Sequence, residues 1–154
     1  MPTIKRAVML LGLLGAILIP VSAQNLMNSA PVPQKSLYER VGGYDALAAV
    51  VDEFIGRLAT DKRFERFFAG FSTDSKKKLR QHILDQFCVA TGGPCVYMGR
   101  EMKVTHAGLG ITEADWDAAA KHLAGSIDKF KVPEKEKGEL LAFVTSLKKD
   151  IVEK

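Results

Sequence analysis

Three histidines, at positions 82, 106 and 122, and two cysteines, at 88 and 95, are the imidazole and thiol groups this chain offers for coordination chemistry. His106 has the most suggestive surroundings. It lies in Met102-Lys-Val-Thr-His106-Ala-Gly108, a short helix-like piece set off from longer helices by Gly99 and Gly108. An imidazole held this way can be turned inward to ligate iron. His122 follows Lys121 on a long helix and reads as a surface residue. The cysteines form neither a CxxC nor a CxxCH motif, so neither a thioredoxin-like site nor covalent haem attachment is indicated. Two readings of the pair stand side by side. In an oxidising compartment it is a disulfide across a helix end and the following turn, and otherwise Cys88 is a small buried apolar residue. Spacing alone does not show whether the Cα atoms approach within the ~7 Å a bridge requires.

The elements that must position these groups read as helical almost throughout. Leu47, Val50, Val51, Phe54, Ile55 and Leu58 recur at three- and four-residue steps after Gly42-Gly43, which breaks the chain behind a short segment around Leu37 to Val41. A turn carries Phe64, Phe67 and Phe68. Asp74 and Ser75 are candidate N-caps for a helix through Leu79, Ile83 and Phe87, which Gly92-Gly93-Pro94 must stop. Thr112-Glu-Ala-Asp115 opens the next helix as a capping box, with Trp116, Ala119, Ala120, Leu123, Ile127 and Phe130 as its apolar stripe. Pro133 suits the first turn of a last helix through Leu140, Phe143, Val144, Leu147 and Ile151. With no strand pattern and no repeat, the reading is an all-α domain of four substantial helices. The glycine-rich stretch from Thr91 to Ile111, which contains His106, is too long for a plain connector and is the expected functional loop.

Length and composition agree with one globular domain, since the 154 residues are 47% hydrophobic and 26% charged. Residues 1–23 read as a secretory signal peptide. Lys5 and Arg6 precede an apolar run from Ala7 to Ile19, Pro20 ends it, and Val21-Ser22-Ala23 supplies the small residues of a cleavage site. The run would span about 20 Å as helix, short of the ~30 Å hydrocarbon core, which argues against a retained anchor. The mature chain is therefore expected in the periplasm or secreted, with no stable membrane span after cleavage. Residues 24–35 form a flexible lead-in and 36–154 the folded domain. Removing Lys5 and Arg6 from the 22 basic residues leaves 20 against 18 acidic ones, a balance that gives no support for a nucleic-acid partner.

Gly42-Gly43, Phe67-Phe68, Gly92-Gly93-Pro94, Tyr97-Met-Gly99-Arg100 and Met102-Lys103-x-x-His106, in this order, resemble the group I truncated haemoglobins, the small two-over-two globins. The likeness runs from about Ser36 to Ile151. It implies a b-type haem, iron protoporphyrin IX, lodged between the helix of Phe54 and Ile55, the helix of Leu79 to Phe87, and the segment of Met102, Lys103 and His106. By the family pattern His106 is the proximal iron ligand, Phe68 packs on the haem face, and Phe54 and Phe87 are wall positions.

The distal side departs from the pattern. Many relatives place at Ile55 a tyrosine whose hydroxyl donates to bound oxygen, and isoleucine cannot donate. A hydrogen bond to a charged acceptor is worth ~1.5–3 kcal/mol, so its loss should speed O2 release roughly 10- to 100-fold. Leu79 and Ile83 match positions that are often polar in relatives. With Leu79 at zero on a helical wheel, Ile83 falls at about +40°, Phe87 at about +80°, Gln86 at about −20° and His82 at about −60°. Gln86 and His82 are thus the polar groups on or beside an apolar face. His82 matches the position from which some cyanobacterial relatives supply a second iron ligand, and the alternative is a bystander at the pocket mouth. Lys76, Lys77, Lys78, Arg80, Arg100 and Lys103 are candidate cations for the haem propionates, with Arg100 and Lys103 favoured.

Four functions compete on these residues. The first is reversible binding of a diatomic gas, O2, NO or CO. The second is an enzyme, an NO dioxygenase or a peroxidase-like activity. Electron transfer through bis-histidyl iron, with an electron donor as partner, is the third. The fourth is a haem-free helical interaction module.

Overall fold

The structure, a computed structural model, describes residues 34–154. The expected signal peptide and most of the lead-in lie outside the described residues. Among the described residues no strand occurs, and no helix is long and apolar enough to cross a membrane.

Helix α1 (Leu37–Arg40) is closed at its start by a capping box in which Ser36 and Glu39 satisfy each other's backbone N–H groups. Gly42, at φ 102°, turns the chain into α2 (Gly43–Thr60), a left-handed conformation that a β-carbon would strain. A 3-10 turn (Lys62–Phe64) and α3 (Glu65–Phe68) lead to α4 (Thr73–Ala90). The cap of α4 is Ser72, whose hydroxyl accepts from the Ser75 N–H, so the cap lies two residues before the expected Asp74 and three before Ser75. Helix α5 (Met102–His106) stands alone in the long loop, followed by α6 (Glu113–Lys129), α7 (Glu134–Ser146) and a final 3-10 turn (Lys148–Asp150). The capping box of α6 forms as expected between Thr112 and Asp115. Pro133 is the N-cap of α7, with extended ψ, rather than a residue of its first turn.

The core is built from one apolar stripe of each long helix. Leu47, Val50 and Val51 of α2 meet Leu84, Phe87 and Cys88 of α4, Leu123 and Ile127 of α6, and Leu140 of α7. Full burial of each such aliphatic side chain contributes about 1.5–3 kcal/mol. Phe130 ends the α6 stripe outside this core, 43% exposed, because α6 stops at Lys129 and the chain turns away through Lys131.

The end of α4 is fastened twice. Cys88 and Cys95 are disulfide-bonded with Cα atoms 5.8 Å apart, which settles the open question in favour of a bridge. The Thr91 carbonyl accepts from the Tyr38 N–H at 2.8 Å, joining α1 to this corner. Gly93 has to be glycine here, since a Cβ would stand 2.5 Å from the Tyr38 ring and 2.6 Å from Cys88 Sγ.

Candidate functional site

His106 ends α5 and is half-buried. Its Nδ1 lies 2.8 Å from the Met102 carbonyl oxygen one turn earlier. A carbonyl only accepts, so Nδ1 is the donor in this contact, and in the neutral ring that leaves the lone pair on Nε2. An imidazole oriented by a backbone carbonyl through one nitrogen, with the other left basic, is the arrangement metal-ligating histidines adopt. Met102 therefore contributes its main chain, a role its side-chain chemistry could not have indicated.

One imidazole cannot hold iron unaided. Among the described residues no group of three or more His, Cys, Asp and Glu side chains is arranged to hold a metal ion. A macrocycle-held iron would need only one such donor, and His106 would be the residue to offer it.

Apolar side chains on α2, α3 and α4 offer partly free surface that would suit such a macrocycle. Phe54 and Ile55 of α2 and Ile83 of α4 pack against the edge of the core yet keep part of their surface free of it. Leu79 of α4, one turn before Ile83, and Phe67 and Phe68 of α3 are likewise half-buried. Phe87 differs, being only 5% exposed and packed edge-to-face on Phe143 of α7 at 5.7 Å, so it belongs to the core.

A second set of contacts ties the aromatic turn to the loop of His106. The Arg66 guanidinium lies 4.2 Å over the Phe67 ring, and its Nη2 donates to Asp115 Oδ2 at 2.8 Å and to the Gly110 carbonyl at 3.4 Å. Hydrogen bonds from the Thr112 backbone and hydroxyl, with Arg66 beside it, hold the Asp115 carboxyl below its usual range. Sequence reasoning missed Arg66 because its partners lie more than forty positions away.

The polar candidates divide. His82 is exposed, its ring edge-to-face with Tyr97 at 6.2 Å, and the Tyr97 hydroxyl donates to the Arg100 carbonyl at 2.8 Å. Gln86 is half-buried. Arg80 is taken by Asp52, with Nη2 2.8 Å from Oδ2, and so is engaged elsewhere than a propionate. Lys76, Lys77 and Lys78 are exposed along the first turns of α4, and Arg100 and Lys103 are exposed beside and on α5. His122, expected at the surface, is partly exposed and has a partner. Its Nε2 lies 2.9 Å from Asp61 Oδ2 and its ring stands edge-on to Phe64, so it links α6 to the end of α2. That hydrogen bond is the main cause holding the Asp61 carboxyl below its usual range.

Known proteins match this chain in sequence and in fold. The family model for bacterial-like globins matches residues 36–153. A group 1 truncated hemoglobin of a Nostoc species is 38% identical over 119 residues, covering 77% of this chain and 98% of the relative. That of Mycolicibacterium paratuberculosis is 34% identical over 116 residues, covering 75% and 83%. Among solved structures, the Fe(III) truncated hemoglobin of Tetrahymena pyriformis superposes with a TM-score of 0.70 at 27% identity, covering 78% of this chain and all of that one. The 2/2 hemoglobin of a Synechococcus, solved in the cyanomet state with covalently attached heme, gives 0.69 at 30% identity, covering 77% and 98%. Sequence and fold agree: the chain belongs to the bacterial-like globins and is a group 1 truncated haemoglobin, a two-over-two helical sandwich that carries haem and binds diatomic gas.

Proposed function

We propose that this chain binds O2 or another diatomic gas, NO or CO, reversibly at a b-type haem whose proximal ligand is His106. The observation that carries the reading is the Nδ1 contact of His106 to the Met102 carbonyl, which leaves Nε2 as the free donor. The haem, when bound, supplies the iron at which the gas coordinates. The chain does the rest. Met102 O fixes the ring plane of His106 and raises the basicity of Nε2. Phe54, Ile55, Phe68, Leu79 and Ile83 supply apolar surface that excludes water from the cofactor. Arg100 and Lys103, both exposed, would be the cations for the propionates.

Ile55 sets the gas chemistry. It offers no hydrogen-bond donor, which supports fast release over the long retention that NO dioxygenation requires. The exposed position of His82 against Tyr97 supports an open sixth position over bis-histidyl electron transfer. We assign the protein to the periplasm or the cell exterior on the leader-like residues 1–23. The Cys88–Cys95 disulfide supports an oxidising compartment. The test is the visible spectrum of the anaerobically reduced holoprotein. Five-coordinate high-spin iron that takes up CO in one step, unchanged in His82→Leu, is expected. A six-coordinate low-spin spectrum that collapses in His82→Leu would overturn the gas-binding reading in favour of electron transfer.

A further inference from the structure

We propose that Glu153 is a positioning residue for the proximal side: its carboxylate clamps the loop that follows His106 and so holds the imidazole in place against loss of haem. This rests on the reading that His106 carries the iron.

After His106 the chain turns sharply, with the Leu109 N–H donating to the His106 carbonyl at 3.2 Å and with Gly108 and Gly110 at φ 81° and 63°. Left-handed glycines in such a turn aim neighbouring N–H groups at one point and form an anion-binding concavity. Here the anion comes from the chain itself. Glu153 Oε1 accepts from the Gly108 N–H at 2.6 Å, and Oε2 accepts from the Gly110 N–H. Both oxygens are engaged, and these two donors are the main reason the carboxyl sits below its usual range. Hydrogen bonds of N–H groups to an ionised acceptor are the strong kind.

The carboxylate is itself delivered by a short ladder. The Glu153 N–H donates to the Ile111 carbonyl at 2.9 Å, and the Glu113 N–H donates to the Lys154 carbonyl at 3.1 Å. The 3-10 turn Lys148–Asp150 packs against α5. The segment after α7 thus grips the chain on both sides of the turn, beginning two residues from the imidazole. Helix α5 has only five residues and no side-chain cap, so it lacks the internal cooperativity to hold His106 alone. Glu153 stands 47 positions from His106, in a stretch with no metal-ligating pattern, which is why spacing could not reveal it.

The experiment compares wild type with Glu153→Ala, Glu153→Gln and Glu153→Asp. Hemin loss is timed by transfer to excess apomyoglobin, the iron–imidazole stretch is read in the ferrous holoprotein by resonance Raman, and amide exchange is followed in the apoprotein. We expect Glu153→Ala to lose hemin about tenfold faster, with a shifted or broadened iron–imidazole band and faster exchange at Gly108 and Gly110. Glu153→Gln should fall close to alanine and Glu153→Asp between alanine and wild type. Hemin loss and band within experimental error of wild type would overturn the proposal, even if melting temperature falls, since a purely structural tail contact would move only the latter. If wild-type iron shows no imidazole band, the proximal reading has failed instead, and amide exchange in the apoprotein still decides whether the clamp exists.

Discussion

Replacing Ile55 with tyrosine should convert a fast-releasing site into a slow one. Ile55 is half-buried on α2 and, like Phe54 and Ile83, packs on the edge of the core, so a ring can be accommodated with part of its surface already outside close packing. Its hydroxyl would reach beyond the aliphatic surface toward the gas. O2 coordinated to iron carries partial negative charge, and a hydrogen bond to a charged acceptor is worth ~1.5–3 kcal/mol. At ~1.4 kcal/mol per decade, O2 release should slow by about 10- to 100-fold. CO carries far less charge and is the internal control, with release expected within about threefold of wild type. Flash photolysis and stopped-flow replacement of O2 by CO measure both. An unchanged O2 rate in a variant that loads haem and melts normally would refute the reasoning. It would show that another donor, with Gln86 as first candidate on the helix opposite, already holds the gas in the wild type.

Three other outcomes follow from the structure. Gly93→Ala should destabilise the fold by about 1–3 kcal/mol in urea unfolding, because its Cβ would collide with Tyr38 and with the Cys88 sulfur rather than with a flexible side-chain end. Reducing the Cys88–Cys95 bridge, which closes a short loop with a sequence separation of 7, should lower stability by about 2 kcal/mol, seen as a drop in melting temperature with a dithiol reductant. Asp115→Asn should lower stability by about 1 kcal/mol at neutral pH by weakening the α6 cap and the Arg66 contact. Because the Asp115 carboxyl is held below its usual value, its contribution is present above about pH 4 and disappears as pH falls through the depressed value, so the gap between variant and wild type should close in acid melts.

The helices were legible because their apolar residues recur with the helical period, and Phe54, Ile55 and Ile83 pack at the edge of the core. The short helix that ends at His106 was legible because glycines set it off from longer helices. What escaped depended on partners distant in sequence. His122 looked like a surface residue because Asp61 lies on another helix end. Arg80 looked free because Asp52 comes from α2. The disulfide stayed open because the approach of two Cα atoms is a property of the turn at Gly92-Gly93, not of the interval between cysteines. The cap of α4 was misplaced because Ser72, Asp74 and Ser75 are all competent caps, and it is the Ser72 hydroxyl that takes the Ser75 N–H.

The most direct test of the account is the His106→Gly variant purified, loaded with hemin and desalted, with and without free imidazole. The account predicts loss of the haem absorption on desalting and its recovery, with a ferrous imidazole-ligated spectrum, when imidazole fills the vacated position. A glycine variant that keeps its haem with the wild-type ferrous spectrum in the absence of imidazole would contradict it.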